Sequence, residues 1–143
     1  VSELGALPGD PDAMTAFVRG AMPLCATLGI TARSLDPAGV VLAMSWAPER
    51  CTSGGLLHGG ALMALADAAG GTCAFVNLPS GAAGTSTIES KTNFLGAVRD
   101  GEVVATARPL HVGSTTIVVE TEVRHGARLV GKVTQTQAVL RAR

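Results

Sequence analysis

Four residues within one short stretch, His58, Gly59, Gly60 and Asp67, carry the groups best suited to chemistry in this chain. An imidazole or a carboxylate can move a proton or attack an electrophile. A glycine pair lets a ligand come close to backbone N–H groups. His58-Gly59-Gly60 opens a run of small and apolar residues that reaches Val76, and Asp67 is the only formally charged side chain between Thr52 and Val76. The run reads as a helix from about Ala61 to near Asn77, apolar nearly all round, which is the pattern of a helix buried on every side. Pro79-Ser80-Gly81 ends it. An ionised Asp inside such a helix is costly unless it is hydrogen-bonded or paired. Asp67 therefore calls for compensation, either as a reacting carboxylate or as a structural one bonded to backbone or to a second subunit. At His58 the choice is between capping the first turn and acting directly.

The other candidates are weaker. Cys25, Cys51 and Cys73 are an odd number without metal-ligand spacing, so they read as reduced thiols of a cytoplasmic protein, with no metal. Cys51 lies near the glycine turn in sequence but has no partnered base to make it a nucleophile. His111 and His125 read as strand-end surface residues. Met14, Met22, Met44 and Met63 read as core packing, with Met63 placed to touch an apolar ligand.

These residues need elements to hold them. Residues 1–9 read as a loose lead-in. Asp10 then caps a helix over Asp12 to Leu24, with Met14, Phe17, Val18 and Met22 as its apolar stripe. Strands follow at Ile30 to Leu35 and Val40 to Trp46, joined by the turn Asp36-Pro37-Ala38-Gly39. After the central helix come four longer strands, Thr85 to Leu95, Glu102 to Val112, Thr115 to His125 and Leu129 to Arg141, whose short separating turns imply an antiparallel meander. The expected architecture is α+β: a long, curved antiparallel sheet wrapped around one buried helix, in a single domain over 1–143.

Composition excludes several classes. Eleven basic residues balance eleven acidic ones and are scattered, so no nucleic-acid surface is expected. Aromatic residues are 3% of the chain, too few for a stacking platform. The uncharged stretch 68–88 includes Asn77, Pro79 and several Gly, Ser and Thr residues, so no membrane span is expected.

His58-Gly59-Gly60 at the start of a buried helix, an acid nine positions after the histidine, and long strands behind it resemble the hotdog-fold acyl-CoA thioesterases, in particular the phenylacetate-degradation and 4-hydroxybenzoyl-CoA branch. The resemblance runs from about Ala21 to Leu140. It implies hydrolysis of an aryl- or medium-chain acyl-CoA to free acid and CoA, with Asp67 as base or nucleophile and the Gly59 N–H polarising the thioester carbonyl. It gives His58 a part in shaping the turn and Ser86 a place near the attacking water. Gly60, Thr52 and Ser86 become substrate contacts, although Thr52 stands where the family usually has Asn or Gln. No cofactor is implied beyond the CoA of the substrate.

Helix-start amides suit this reaction, because thioester hydrolysis builds negative charge on the carbonyl oxygen. Gly59 and Asp67 are eight residues apart, about 12 Å along one helix, whereas a carbonyl must lie within about 3 Å of its attacker. Two antiparallel helices across a two-fold axis would bring Gly59 of one chain to Asp67 of another, which predicts an obligate homodimer with composite sites or a dimer of dimers. Two other readings share the fold: a non-catalytic acyl-CoA-sensing module, which Thr52 in place of Asn or Gln leaves open, and an enoyl-CoA hydratase or dehydratase, which the His58 and Asp67 arrangement fits less well.

Overall fold

The computed structural model describes residues 6–142. The lead-in expected over 1–9 falls partly outside them; residues 6–9 have no regular structure. Helix α1 (Pro11–Ala21) starts where Asp10 accepts hydrogen bonds from the Asp12 and Ala13 N–H groups, both at 3.1 Å. The single helix expected to reach Leu24 is in fact two. Proline cannot continue the ladder, so Pro23 restarts the chain as a short α2 (Pro23–Thr27) after a break at Met22.

The strands are β1 (Thr31–Asp36), β2 (Gly39–Ser45), β3 (Ala82–Phe94), β4 (Glu102–Val112), β5 (Thr116–His125) and β6 (Arg128–Arg141). They form one antiparallel sheet in the order β1-β2-β4-β5-β6-β3. The expected meander holds only for β4, β5 and β6. β3 leaves its sequence neighbour and pairs with β6 at the far edge, with Thr85 opposite Val139 and Thr87 opposite Gln137. Arg99-Asp100-Gly101 is therefore not a hairpin turn but the end of a crossing segment, tied on its way by Leu95 N–H to Val130 O at 2.9 Å and Leu57 N–H to Val98 O at 2.8 Å.

Alternate residues of the strands face inward, among them Val103, Ala105 and Ala107 on β4 and Ile117, Val119 and Val123 on β5, all fully or almost fully buried. They pack against helix α3 (Gly59–Val76), whose Leu65, Ala66, Ala69 and Cys73 are fully enclosed. With so few aromatics, it is the small helix side chains that let the sheet curl closely around it.

The expectation of a helix buried on every side is corrected. Gly60, Met63 and Asp67 are exposed and Ala64, Gly71 and Phe75 only half-buried, at the spacing of one continuous helix face. β3 forms the end of the sheet, so the strands cover one side of α3 and leave this stripe open. By length and composition α3 could cross a membrane, but more than half of it is buried inside the fold.

Candidate active site

Asp67 lies at the middle of the open stripe, one turn from Met63 and one from Gly71. All of its hydrogen bonds in the described residues go to a single oxygen: Oδ1 accepts from the Thr87 hydroxyl at 3.0 Å and from Gln135 Nε2 at 3.2 Å. Thr87 Oγ1 in turn accepts from Gln137 Nε2 at 2.7 Å. Having one proton, the hydroxyl must then spend it on Asp67. The Thr85 hydroxyl donates to Gln137 Oε1 at 3.0 Å, which turns the Gln137 amide so that its NH2 group faces Thr87. Oδ2 has no partner among the described residues. The compensation that the sequence demanded at Asp67 thus comes from β3 and β6, although the carboxylate is more exposed than expected.

Asp67 stands in the wall of a cavity of about 460 Å³. Its other walls are Phe17, Val18, Ala21 and Met22 of the α1 end, Gly71, Thr72 and Phe75 of α3, and Gly84 to Thr87 of β3, with Gln137 behind. The rings of Phe17 and Phe75 lie 6.4 Å apart, tilted by 43°, which makes that part of the lining aromatic. Ser86 lines the same cavity, but the strand residue bonded to Asp67 is its neighbour Thr87.

The helix start is built differently. His58 is the N-cap of α3, and its Nδ1 accepts the Gly60 N–H at 2.8 Å. That bond occupies the Gly60 amide, with His58 Nδ1 as its acceptor. The Gly59 N–H has no acceptor among the described residues, so of the two glycine amides it is the one free to meet a developing oxyanion. The ring of Phe94 lies over Gly59 so closely that a Cβ at that position would be 3.1 Å from it.

His58 and Gly60 line a second cavity of about 340 Å³, together with Arg50, Cys51 and Leu24. Asp67 and Ser86 therefore share one cavity, while His58 and Gly60 belong to another. Gly59 and Thr52 line neither. Thr52 is exposed and precedes a short 3-10 turn; its N–H bonds Leu56 O at 2.7 Å and its hydroxyl makes no hydrogen bond among the described residues.

Two of the thiols, Cys25 and Cys73, line neither cavity. Burial pushes Cys73 up to about 11 and raises Cys25, the latter against the opposing pull of Arg19. Both are protonated and poorly nucleophilic near neutral pH. Among the described residues no three His, Cys, Asp or Glu side chains are grouped to hold a metal ion.

Residues 54–132, which include the glycine turn, all of α3 and strands β3, β4 and β5, match the model of the thioesterase superfamily. A Saccharolobus solfataricus protein named "Putative esterase" is 32% identical over 109 residues, spanning 73% of this chain and 76% of its own length. The chain belongs to the thioesterase superfamily. Its fold is the hotdog fold, and the superfamily membership makes it a thioester hydrolase, as the resemblance read from its residues implied. A thioesterase family protein from Silicibacter pomeroyi is 28% identical and superposes with a TM-score of 0.81 over 90% of this chain and 96% of the other. A Ralstonia eutropha protein carrying the name "putative thioesterase, phenylacetic acid degradation-related protein" shares the fold, with a TM-score of 0.77 and 24% identity over 86% of this chain and 96% of that one.

Sequence reasoning missed Thr87, Gln135, Gln137 and Gly70 of this thioesterase. Gly70 matters because a Cβ there would overlap the Gln135 amide. A signal for the glutamines existed: in Val133-Thr134-Gln135-Thr136-Gln137 the period-two pattern puts both on the side of Val133, facing the core.

Proposed function

We propose that the chain hydrolyses aryl- or medium-chain acyl-CoA thioesters to the free acid and CoA. The observation that carries this reading is Asp67 itself, held by one oxygen with the other unpaired among the described residues, in the wall of a largely apolar cavity. About 460 Å³ is within the range of small-molecule pockets. The Phe17 and Phe75 rings give it a lining suited to an aromatic or short aliphatic acyl group. Asp67 Oδ2 would take a proton from water or attack the carbonyl carbon directly, and the Gly59 N–H would hold the oxyanion.

Those two groups lie about 12 Å apart along one helix, so the reading requires a second copy of the chain. The open stripe of α3 and the outer edge of β3 support such an assembly. Met63 and Asp67 on the helix and Ile88 and Phe94 on the strand are exposed in the single chain, and an unpaired strand edge is a template for pairing. A homodimer would set Gly59 of each copy near Asp67 of the other.

The test is release of free CoA from aromatic and straight-chain acyl-CoAs by wild type and by Asp67→Asn, with the three protein thiols subtracted as a blank. The expected result is turnover by wild type and a loss of roughly a hundredfold or more in a folded variant. Binding of acyl-CoA without release of CoA from any member would overturn hydrolysis and leave an acyl-CoA-sensing role.

A further inference from the structure

The strand residues behind Asp67 do not belong in an apolar core on grounds of stability. Gln135 and Gln137 are 0% and 1% exposed, on a strand whose buried Val130 and Val133 are apolar. Gln135 also leaves its Oε1 buried without a partner among the described residues, a state that costs free energy in every protein. Making room for this amide requires a glycine at position 70, where the helix would otherwise favour alanine. Among the described residues this costly buried amide, seated in space cleared for it, has only one bond to offset that cost, and the bond goes to Asp67 Oδ1.

Direction sharpens the point. Each link on the other arm donates toward the carboxylate: Thr85 to Gln137, Gln137 to Thr87, Thr87 to Asp67. The two arms meet on the same oxygen from two different strands, so the carboxylate can neither rotate about its last torsion nor exchange its oxygens without breaking both bonds. A free aspartate on an exposed helix face would sample both orientations.

We propose that Gln135 and Thr87, the latter oriented by Gln137, are positioning residues for thioester hydrolysis: they clamp Oδ1 so that Oδ2 alone is presented to the reacting carbonyl or water. The proposal rests on the reading of Asp67 as the acting carboxylate. Neither residue needs to touch substrate, and the gain lies in a pre-oriented attacker, a contribution that a small misplacement forfeits.

The experiment measures kcat and KM separately for Gln135→Met, Thr87→Val and Thr87→Ser in the full chain, on the best thioester of the acyl-CoA panel, with thermal unfolding of each. Methionine matches the shape of Gln135 and removes both its donor and its orphaned acceptor; valine matches threonine without the hydroxyl. The expected result is kcat lowered about tenfold to a hundredfold in Gln135→Met and Thr87→Val, with KM within about threefold of wild type. Thr87→Ser recovers kcat, and the unfolding temperature of Gln135→Met equals or exceeds that of wild type. A structural role predicts the opposite pattern for Gln135→Met, a lowered unfolding temperature with kcat retained. That pattern, or unaltered kcat in both Gln135→Met and Thr87→Val while Asp67→Asn is inactive, would overturn the clamp and leave the catalytic reading intact. Full activity in Asp67→Asn would instead remove the reading on which the clamp rests.

Discussion

A glycine inside a helix ordinarily costs about 1 kcal/mol against alanine, and α3 carries two in succession at Gly70 and Gly71. Gly71 opens the floor of the Asp67 cavity, while Gly70 leaves the space that the Gln135 amide fills. Gly70→Ala is therefore expected to keep the helix, since the lost propensity is restored, and to lower kcat about tenfold by displacing Gln135 from the carboxylate. Circular dichroism beside steady-state kinetics reads both, and unaltered kcat would count against the account. At the helix start, His58→Ala removes the acceptor of the Gly60 N–H and is expected to cost about 1 kcal/mol in urea unfolding, with His58→Asn restoring most of it. The thiols supply an independent check on burial. Cys73, pushed up to about 11, and Cys25, also raised, stay protonated at mildly alkaline pH, so iodoacetamide should modify only half-buried Cys51 in the native protein. Two or three adducts by mass spectrometry without denaturant would contradict the packing.

Elements record how far local chemistry reaches. The Asp10 cap was legible because a side-chain oxygen two and three residues before the bonded N–H groups is a purely local device. Asp10→Ala should cost about 1 kcal/mol of stability by urea unfolding. The limits of α3 were legible for the same reason, from the glycine pair at one end and Asn77 before Pro79 at the other. Two elements were misread, the first through a local backbone term and the second through a longer-range one. The apolar stripe through Met22 concealed the break at Pro23, where the missing N–H and the proline ring outweigh the pattern of burial. The partner of β3 is set by which strand can bury its inner face beside α3, and a turn sequence such as Arg99-Asp100-Gly101 carries no information on that. The clamp followed the same division. Asp67 stood out as a lone charge, but its partners lie 20 and 68 residues away along the chain and become neighbours only through the pairing of β3 with β6.

For the whole molecule, the proposed composite site makes the open face of α3 and the free edge of β3 two parts of one requirement: a second copy that would cover the stripe and complete the site. Ile88, 61% exposed on that edge, is a direct probe of it. Ile88→Lys should shift the protein toward monomer in sedimentation velocity and remove turnover together with the dimer, because a charge on a strand edge opposes pairing. The most direct measurement combines two variants that are each expected to be inactive alone. Asp67→Asn removes the proposed attacker, and Gly59→Pro removes the proposed oxyanion N–H at a first-turn position that accepts proline. The two chains are refolded together, and formation of the heterodimer is verified by mass before CoA release is measured. With composite sites, each heterodimer holds one intact pair, Gly59 from one copy and Asp67 from the other. Random pairing then restores about a quarter of wild-type turnover. A verified heterodimer that releases no CoA would contradict the shared site.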